Sequence, residues 1–137
     1  VHIDFFKKQE TFSKGKKMKK KILIVDDDWE MRSIEKTIIA DIDDFEIIEA
    51  SNGKEAVDLL RYTNVDLLIT DICMPEMNGI ELVEKLRASG FSIPILIISG
   101  TLDVNIRTHL FPQKQIQFIE KPFSMERLSN VVENLIN

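Results

Sequence analysis

At 137 residues and 44% hydrophobic content, the chain has the length of a single domain and enough apolar material to bury a core. Its formal charge of −5 is uneven: residues 1–21 hold eight lysines against Asp4 and Glu10, a surplus of six positive charges, which leaves −11 on residues 22–137. So acidic a body excludes a lysine- and arginine-lined groove for nucleic acid, the lone Cys73 excludes an internal disulfide, and no run approaches the roughly 20 apolar residues of a membrane helix.

The N-terminus also lacks the apolar stretch of a signal peptide, so a cytoplasmic protein with no membrane partner is expected. Met18-Lys19-Lys20-Lys21 reads like a natural start. Residues 1–20 are therefore expected to be a basic, disordered or appended extension, with one domain over residues 21–137.

From Lys21 onward, short apolar runs alternate with helical periodicity. The runs are Ile22 to Val25, Phe45 to Glu49, Val65 to Thr70, Ile93 to Ile98 and Ile116 to Glu120. Three of them are almost unbroken Ile, Leu and Val, the pattern of parallel strands covered on both faces. The first helix is predicted over Trp29 to Asp41, capped by Asp28, with Met31, Ile34, Ile38 and Ile42 as its inward stripe. Asn52-Gly53 opens a second helix that turns Ala56, Leu59 and Leu60 inward. Asn78-Gly79 opens a third, with Ile80, Val83 and Leu86 inward and a stop near Gly90. A short helix is expected over Asp103 to Leu110, ended by Pro112. Ser124 caps the last, with Leu128, Val131, Val132 and Leu135 facing the core. Right-handed crossovers then close the series as a doubly wound α/β sheet.

Charged residues follow the apolar runs at matching places: Asp26-Asp27 after the first, Asp71 after the third and Lys121-Pro122 after the fifth. In a parallel sheet these all lie at the carboxyl edge, where open α/β sheets bind ligands. Two unit charges about 5 Å apart repel by roughly 3 kcal/mol at an effective dielectric of about 20, so three clustered carboxylates need a cation or must take up protons. Mg2+ suits oxygen-only donors and engages phosphate oxygens. Acidic residues with one lysine thus point to a phosphoryl group.

Four ordered stretches, 22–28, 66–79, 97–100 and 118–123, together resemble the response-regulator receiver domain of two-component signalling. The resemblance implies a flavodoxin-like doubly wound (βα)5 fold with a five-stranded parallel sheet in order 2-1-3-4-5. It also implies that Asp71 is the phosphoacceptor, that Asp27 and Asp71 ligate Mg2+ directly, that Asp26 acts mainly through bound water, and that Cys73 offers its backbone carbonyl. Lys121 would pair with the phosphoryl oxygens, Ser99 would hydrogen-bond one of them, and Gly100 would leave room for the group. Phe118 would change rotamer as Ser99 moves, and the Lys121-Pro122 bond would be cis. Implied partners are a histidine kinase or phosphotransfer protein and a downstream protein target. Cys73 and Thr101 would flank the phosphoryl group and influence its lifetime.

Simpler roles exist for several of these residues. Asp28 is best read as a helix cap, Ser99 alone would be a strand-end cap, and Phe118 could be plain core. Asn78 replaces the usual Asp before the glycine but can still cap, and residues 108–117 lack the usual Gly-Ala turn. If the chain is the full protein, it is expected to work by protein contact rather than as an enzyme on external substrates; a stand-alone receiver, a relay intermediate and a receiver excised from a larger regulator all stay open. A Mg2+-dependent phosphatase would use Asp26-x-Asp28 but needs an inserted cap, and a nucleotide binder needs a Gly-rich phosphate loop after the first strand. Neither is present in the sequence.

Overall fold

The computed structural model describes residues 18–100 and 115–137. The helix expected over 103–110, Thr101 and the extension over 1–17 lie outside them. Five strands form one sheet: β1 Lys21–Val25, β2 Glu46–Ala50, β3 Leu67–Thr70, β4 Ile95–Ser99 and β5 Ile116–Glu120. The four described helices are α1 Trp29–Ala40, α2 Gly53–Tyr62, α3 Gly79–Ala88 and α4 Met125–Ile136. All strand pairs are parallel, in the order β2-β1-β3-β4-β5. Doubly wound topology and strand order are as expected, with strand limits shifted by one or two residues.

The apolar runs are strands because both of their faces are covered. Leu23 and Val25, with Leu68, Ile95 and Ile97, pack on one side beneath Ala56, Leu60, Leu82, Val83 and Leu86 of α2 and α3. Ile22, Ile24, Leu67, Ile69, Leu96, Ile98 and Ile119 pack on the other side beneath Ile38 and Ile39 of α1 and Leu128, Val131, Val132 and Ile136 of α4. Period-two alternation within each strand sends successive residues to opposite layers.

Each described helix starts directly after a capping residue at the place expected for its opening. Asp28 accepts from the N–H groups of Glu30 and Met31, Asn52 from Glu55, and Ser124 from Arg127. Asn78 accepts from Glu81 while the Glu81 carboxylate takes the Asn78 N–H, a reciprocal capping box. Gly90 follows α3 with φ of 90°, a left-handed turn that suits glycine.

One helix face departs from expectation. Ile34 is 50% exposed, whereas Glu35 is 2% exposed beside buried Ile38 and Ile39. Ile38 stays inward as expected, but the stripe of α1 runs through Glu35 and Ile39 rather than Ile34, and it carries a carboxyl into the core layer. Smaller adjustments occur elsewhere: Leu59, Ile80 and Leu135 are half-buried, and Ile136 is the deeper residue at the end of α4.

Candidate functional site at the carboxyl edge

The strand order reverses between β1 and β3, and the residues that follow these two strands are Asp26 and Asp71. Backbone hydrogen bonds carry the ladder past the strand ends. The Asp26 N–H donates to the Ala50 carbonyl at 3.1 Å, the Asp71 N–H to Val25 at 3.1 Å, and the Lys121 N–H to Ser99 at 3.0 Å. The register therefore sets Asp26, Asp71, Ser99 and Lys121 along one edge, and one carboxylate oxygen from each of Asp26, Asp27 and Asp71 comes within 4.8 Å of the others.

Lys121 Nζ lies 3.1 Å from Asp71 Oδ2 and 3.8 Å from Asp26 Oδ2. The other Asp71 oxygen accepts from the N–H groups of Ile72 at 2.7 Å and Cys73 at 3.4 Å. Backbone donors and one ammonium thus fix the carboxylate plane, and Asp71 keeps partial exposure at 11% of its side chain. Asp26 is deeper, at 2%. Burial pushes its carboxyl up to about 6, reinforced by Asp71 and Asp27 and opposed by the Asp28 N–H and the Lys121 charge. Burial alone would lower the pKa of Lys121, but the charge and hydrogen bond of Asp71, with Asp26 and Glu35, hold it above the usual lysine value.

Each expected site residue falls as follows. Asp27 is exposed at the rim and Asp28 is occupied as a helix cap. Ser99 is 1% exposed at the end of β4. Among the described residues, a Cβ added at Gly100 would meet nothing within 4 Å. The Cys73 thiol is exposed. Phe118 is half-buried opposite Ile97, packed against the layer under α2 and α3. The Lys121-Pro122 bond is cis.

Four residues escaped the sequence reading. Arg32 donates through Nη1 to the Asp26 carbonyl, and Thr70 Oγ1 donates to the Asp71 carbonyl at 2.9 Å. Gly79 approaches so closely that a Cβ there would sit 2.0 Å from the Asp71 carbonyl oxygen. Glu35 is the fourth. Its signal was its position at 35 in a helix whose 38, 39 and 42 are isoleucines, a spacing that shares their face.

The donor set suits a hard divalent cation: it is all oxygen, it gathers carboxylates that repel one another, and burial has already raised the deepest of them toward protonation. Asp28 is committed to capping and Asp26 is nearly inaccessible, which leaves no exposed Asp-x-Asp pair of the phosphatase kind.

Comparison with known proteins gives a consistent result. The family model described as "Response regulator receiver domain" matches residues 22–133. The chain is 35% identical over 114 residues to the chemotaxis protein CheY of Listeria monocytogenes, covering 82% of this chain and 95% of that protein. It is likewise 35% identical over 102 residues to a protein-glutamate methylesterase/protein-glutamine glutaminase of Paramagnetospirillum magneticum, covering 74% of this chain but only 28% of that relative. Among solved structures, the receiver domain of the Francisella response regulator 1452 is similar with a TM-score of 0.78 and 28% identity, over 85% of this chain and 96% of that one. Among the described residues, no helix is long and apolar enough to cross a membrane.

Proposed function

The chain belongs to the response regulator receiver domain family of two-component signalling, and from that premise we propose that it is a phosphorylation-dependent switch with Asp71 as phosphoacceptor. The observation that carries this reading is the 3.1 Å pairing of Lys121 Nζ with Asp71 Oδ2 at the mouth of a three-carboxylate cluster. It supplies a nucleophilic oxygen, a fixed cation for the transferred group and oxygen donors for a metal in one place.

An Asp71 carboxylate oxygen attacks phosphorus of a phosphohistidine or small phosphodonor, the bond to the donor breaks, and the leaving group departs in line. Mg2+ held by Asp27, Asp71 and the Cys73 carbonyl, with Asp26 acting through water, would neutralise charge on the phosphoryl oxygens. Lys121 orients the incoming group and stays with the product. Ser99 then donates to a phosphoryl oxygen, and Phe118 follows it by changing rotamer. The product carries about −1.5 to −2 charge and three acceptor oxygens, enough to bias a two-state surface.

The phosphodonor partner is a histidine kinase or phosphotransfer protein, and the output is altered affinity for a downstream protein. The receiver unit spans 21–137, with residues 1–20 appended, and works in the cytoplasm on itself rather than on external substrates. Intact-mass measurement after incubation with acetyl phosphate and Mg2+ tests the reading. One added phosphoryl mass is expected, abolished by Asp71→Asn and by chelation. A parent chain that gains no mass from any donor, or an Asp71→Asn chain that still gains it, overturns it.

A further inference from the structure

Glu35 is 2% exposed, and its Oε2 finds no hydrogen-bond partner among the described residues. The cations nearest in the sequence are already engaged. Arg32 holds Glu49 through Nε at 3.1 Å and the Asp26 carbonyl through Nη1, while Lys36 Nζ holds the other Glu49 oxygen at 3.0 Å. These contacts keep the Glu49 carboxyl below its usual range, with the Lys36 hydrogen bond the largest cause. Glu35 Oε2 has no such hydrogen bond, and the charges of Lys121 and Arg32 offset its burial only in part. Its helix neighbours Ile38 and Ile39 are 4% and 0% exposed, so an apolar side chain would fill the place without leaving an oxygen unsatisfied. A buried acid kept at such a cost calls for a role.

The charges that act on Glu35 come from the carboxyl edge of the sheet and from its own helix. Asp26 follows β1, Asp71 follows β3, Lys121 follows β5, and Arg32 lies one turn earlier on α1. From α4, the residues in this layer are the apolar Leu128, Val131 and Val132. We propose that Glu35, a buried carboxyl outside the Asp26, Asp27 and Asp71 cluster, is a positioning residue that tunes divalent-cation binding at Asp27 and Asp71 by releasing its proton when the cation enters. This rests on the reading of Asp26, Asp27 and Asp71 as a cation site.

The device follows from charge. Burial first, and then the Asp26 carboxylate, push the Glu35 carboxyl up to about 8, so at neutral pH it is protonated. A divalent ion at the rim offsets the negative field of the aspartates, and Glu35 gives its proton to solvent. The carboxylate so formed attracts the ion and Lys121 in return. By reciprocity, the cation lowers the proton affinity of Glu35 by the same factor that ionised Glu35 raises cation affinity.

The test is calorimetric titration of the full chain with Mg2+ at pH 7 in two buffers of different ionisation enthalpy, which counts protons released per ion. The parent should release more protons than Glu35→Gln. Between pH 7 and 9 its Mg2+ affinity should rise about fivefold more than that of the variant, the order expected for one added charge at a partly screened separation. Glu35→Leu, apolar like its neighbours, should behave as Glu35→Gln does and covers the case in which the amide disturbs packing. Equal proton counts and equal pH slopes in the parent and either folded variant overturn the proposal while leaving the cation site intact. Absence of Mg2+ binding in the parent removes the cation site and this inference together.

Discussion

The two faces of the sheet are built from the same kinds of residue but do different work. The layer under α2 and α3 is closed by Leu23, Val25, Leu68, Ile95 and Ile97 against helix residues that are apolar throughout. The layer under α1 and α4 uses Ile22, Ile24, Ile69 and Ile98 in the same way, yet admits Glu35 where α1 approaches the pocket. One face is a scaffold that fixes where Asp71 stands. The other lets the charge state of the pocket reach into the core, where stability and ionisation become coupled.

The largest expected effect lies where the scaffold face meets the pocket. Gly79→Ala would drive its Cβ to 2.0 Å from the Asp71 carbonyl oxygen, a distance that backbone must shift to relieve. Loss of at least about 3 kcal/mol in urea unfolding is expected, together with slower phosphorylation of Asp71. Normal stability in this variant would show that α3 adjusts freely.

Deep in the same face, Leu82→Ala should cost about 2–5 kcal/mol through the cavity it leaves, with no change in the pH dependence of stability. Glu35→Leu on the opposite face should have the opposite sign and a clear pH signature. The native Glu35 carboxyl holds its proton up to about 8, whereas an unperturbed glutamate loses it near 4.5. As pH rises between these values, the unfolded chain has lost a proton that the folded chain retains, so parent stability falls. The slope is at most about 1.4 kcal/mol per pH unit. Glu35→Leu should flatten this slope and gain about 1–3 kcal/mol at pH 8. A steeper slope, or a loss of stability at that pH, would remove the contrast between the faces.

Two smaller effects sharpen the picture. Asn78→Ala should lose about 1 kcal/mol as its cap on α3 disappears, measured by thermal unfolding. Lys121→Ala should permit some phosphorylation at Asp71 but reduce the phosphate-dependent change in fluorescence of Trp29. An unchanged spectral response would take Lys121 out of the switch.

Legibility in the sequence followed the physics of each feature. Three strands stood out because parallel strands buried on both sides leave nearly unbroken Ile, Leu and Val runs, and Asp26, Asp71 and Lys121 stood out because each directly follows a strand-forming run. The caps Asp28, Asn52, Asn78 and Ser124 were equally readable, since each acts on donors within its own first turn. Glu35 was not. On hydrophobicity alone Ile34 belongs inside and a glutamate outside, and only the spacing of Glu35 from Ile38 and Ile39 hinted that the tertiary placement of α1 reverses the two. The demands of Gly79 were hidden for a related reason. Its neighbour is the carbonyl of Asp71, eight positions earlier, and no local periodicity encodes that approach.

The contact at Gly79 also has a mechanical meaning. A backbone packed this tightly is a hard stop against compression: the first turn of α3 cannot advance toward the loop that carries Asp71. The Gly79 N–H bond to the Ile72 carbonyl, at 2.8 Å, opposes retreat. Stop and tether together make the start of α3 and the Asp71 loop a single rigid piece, so a load applied along that helix is borne directly by the backbone beneath Asp71.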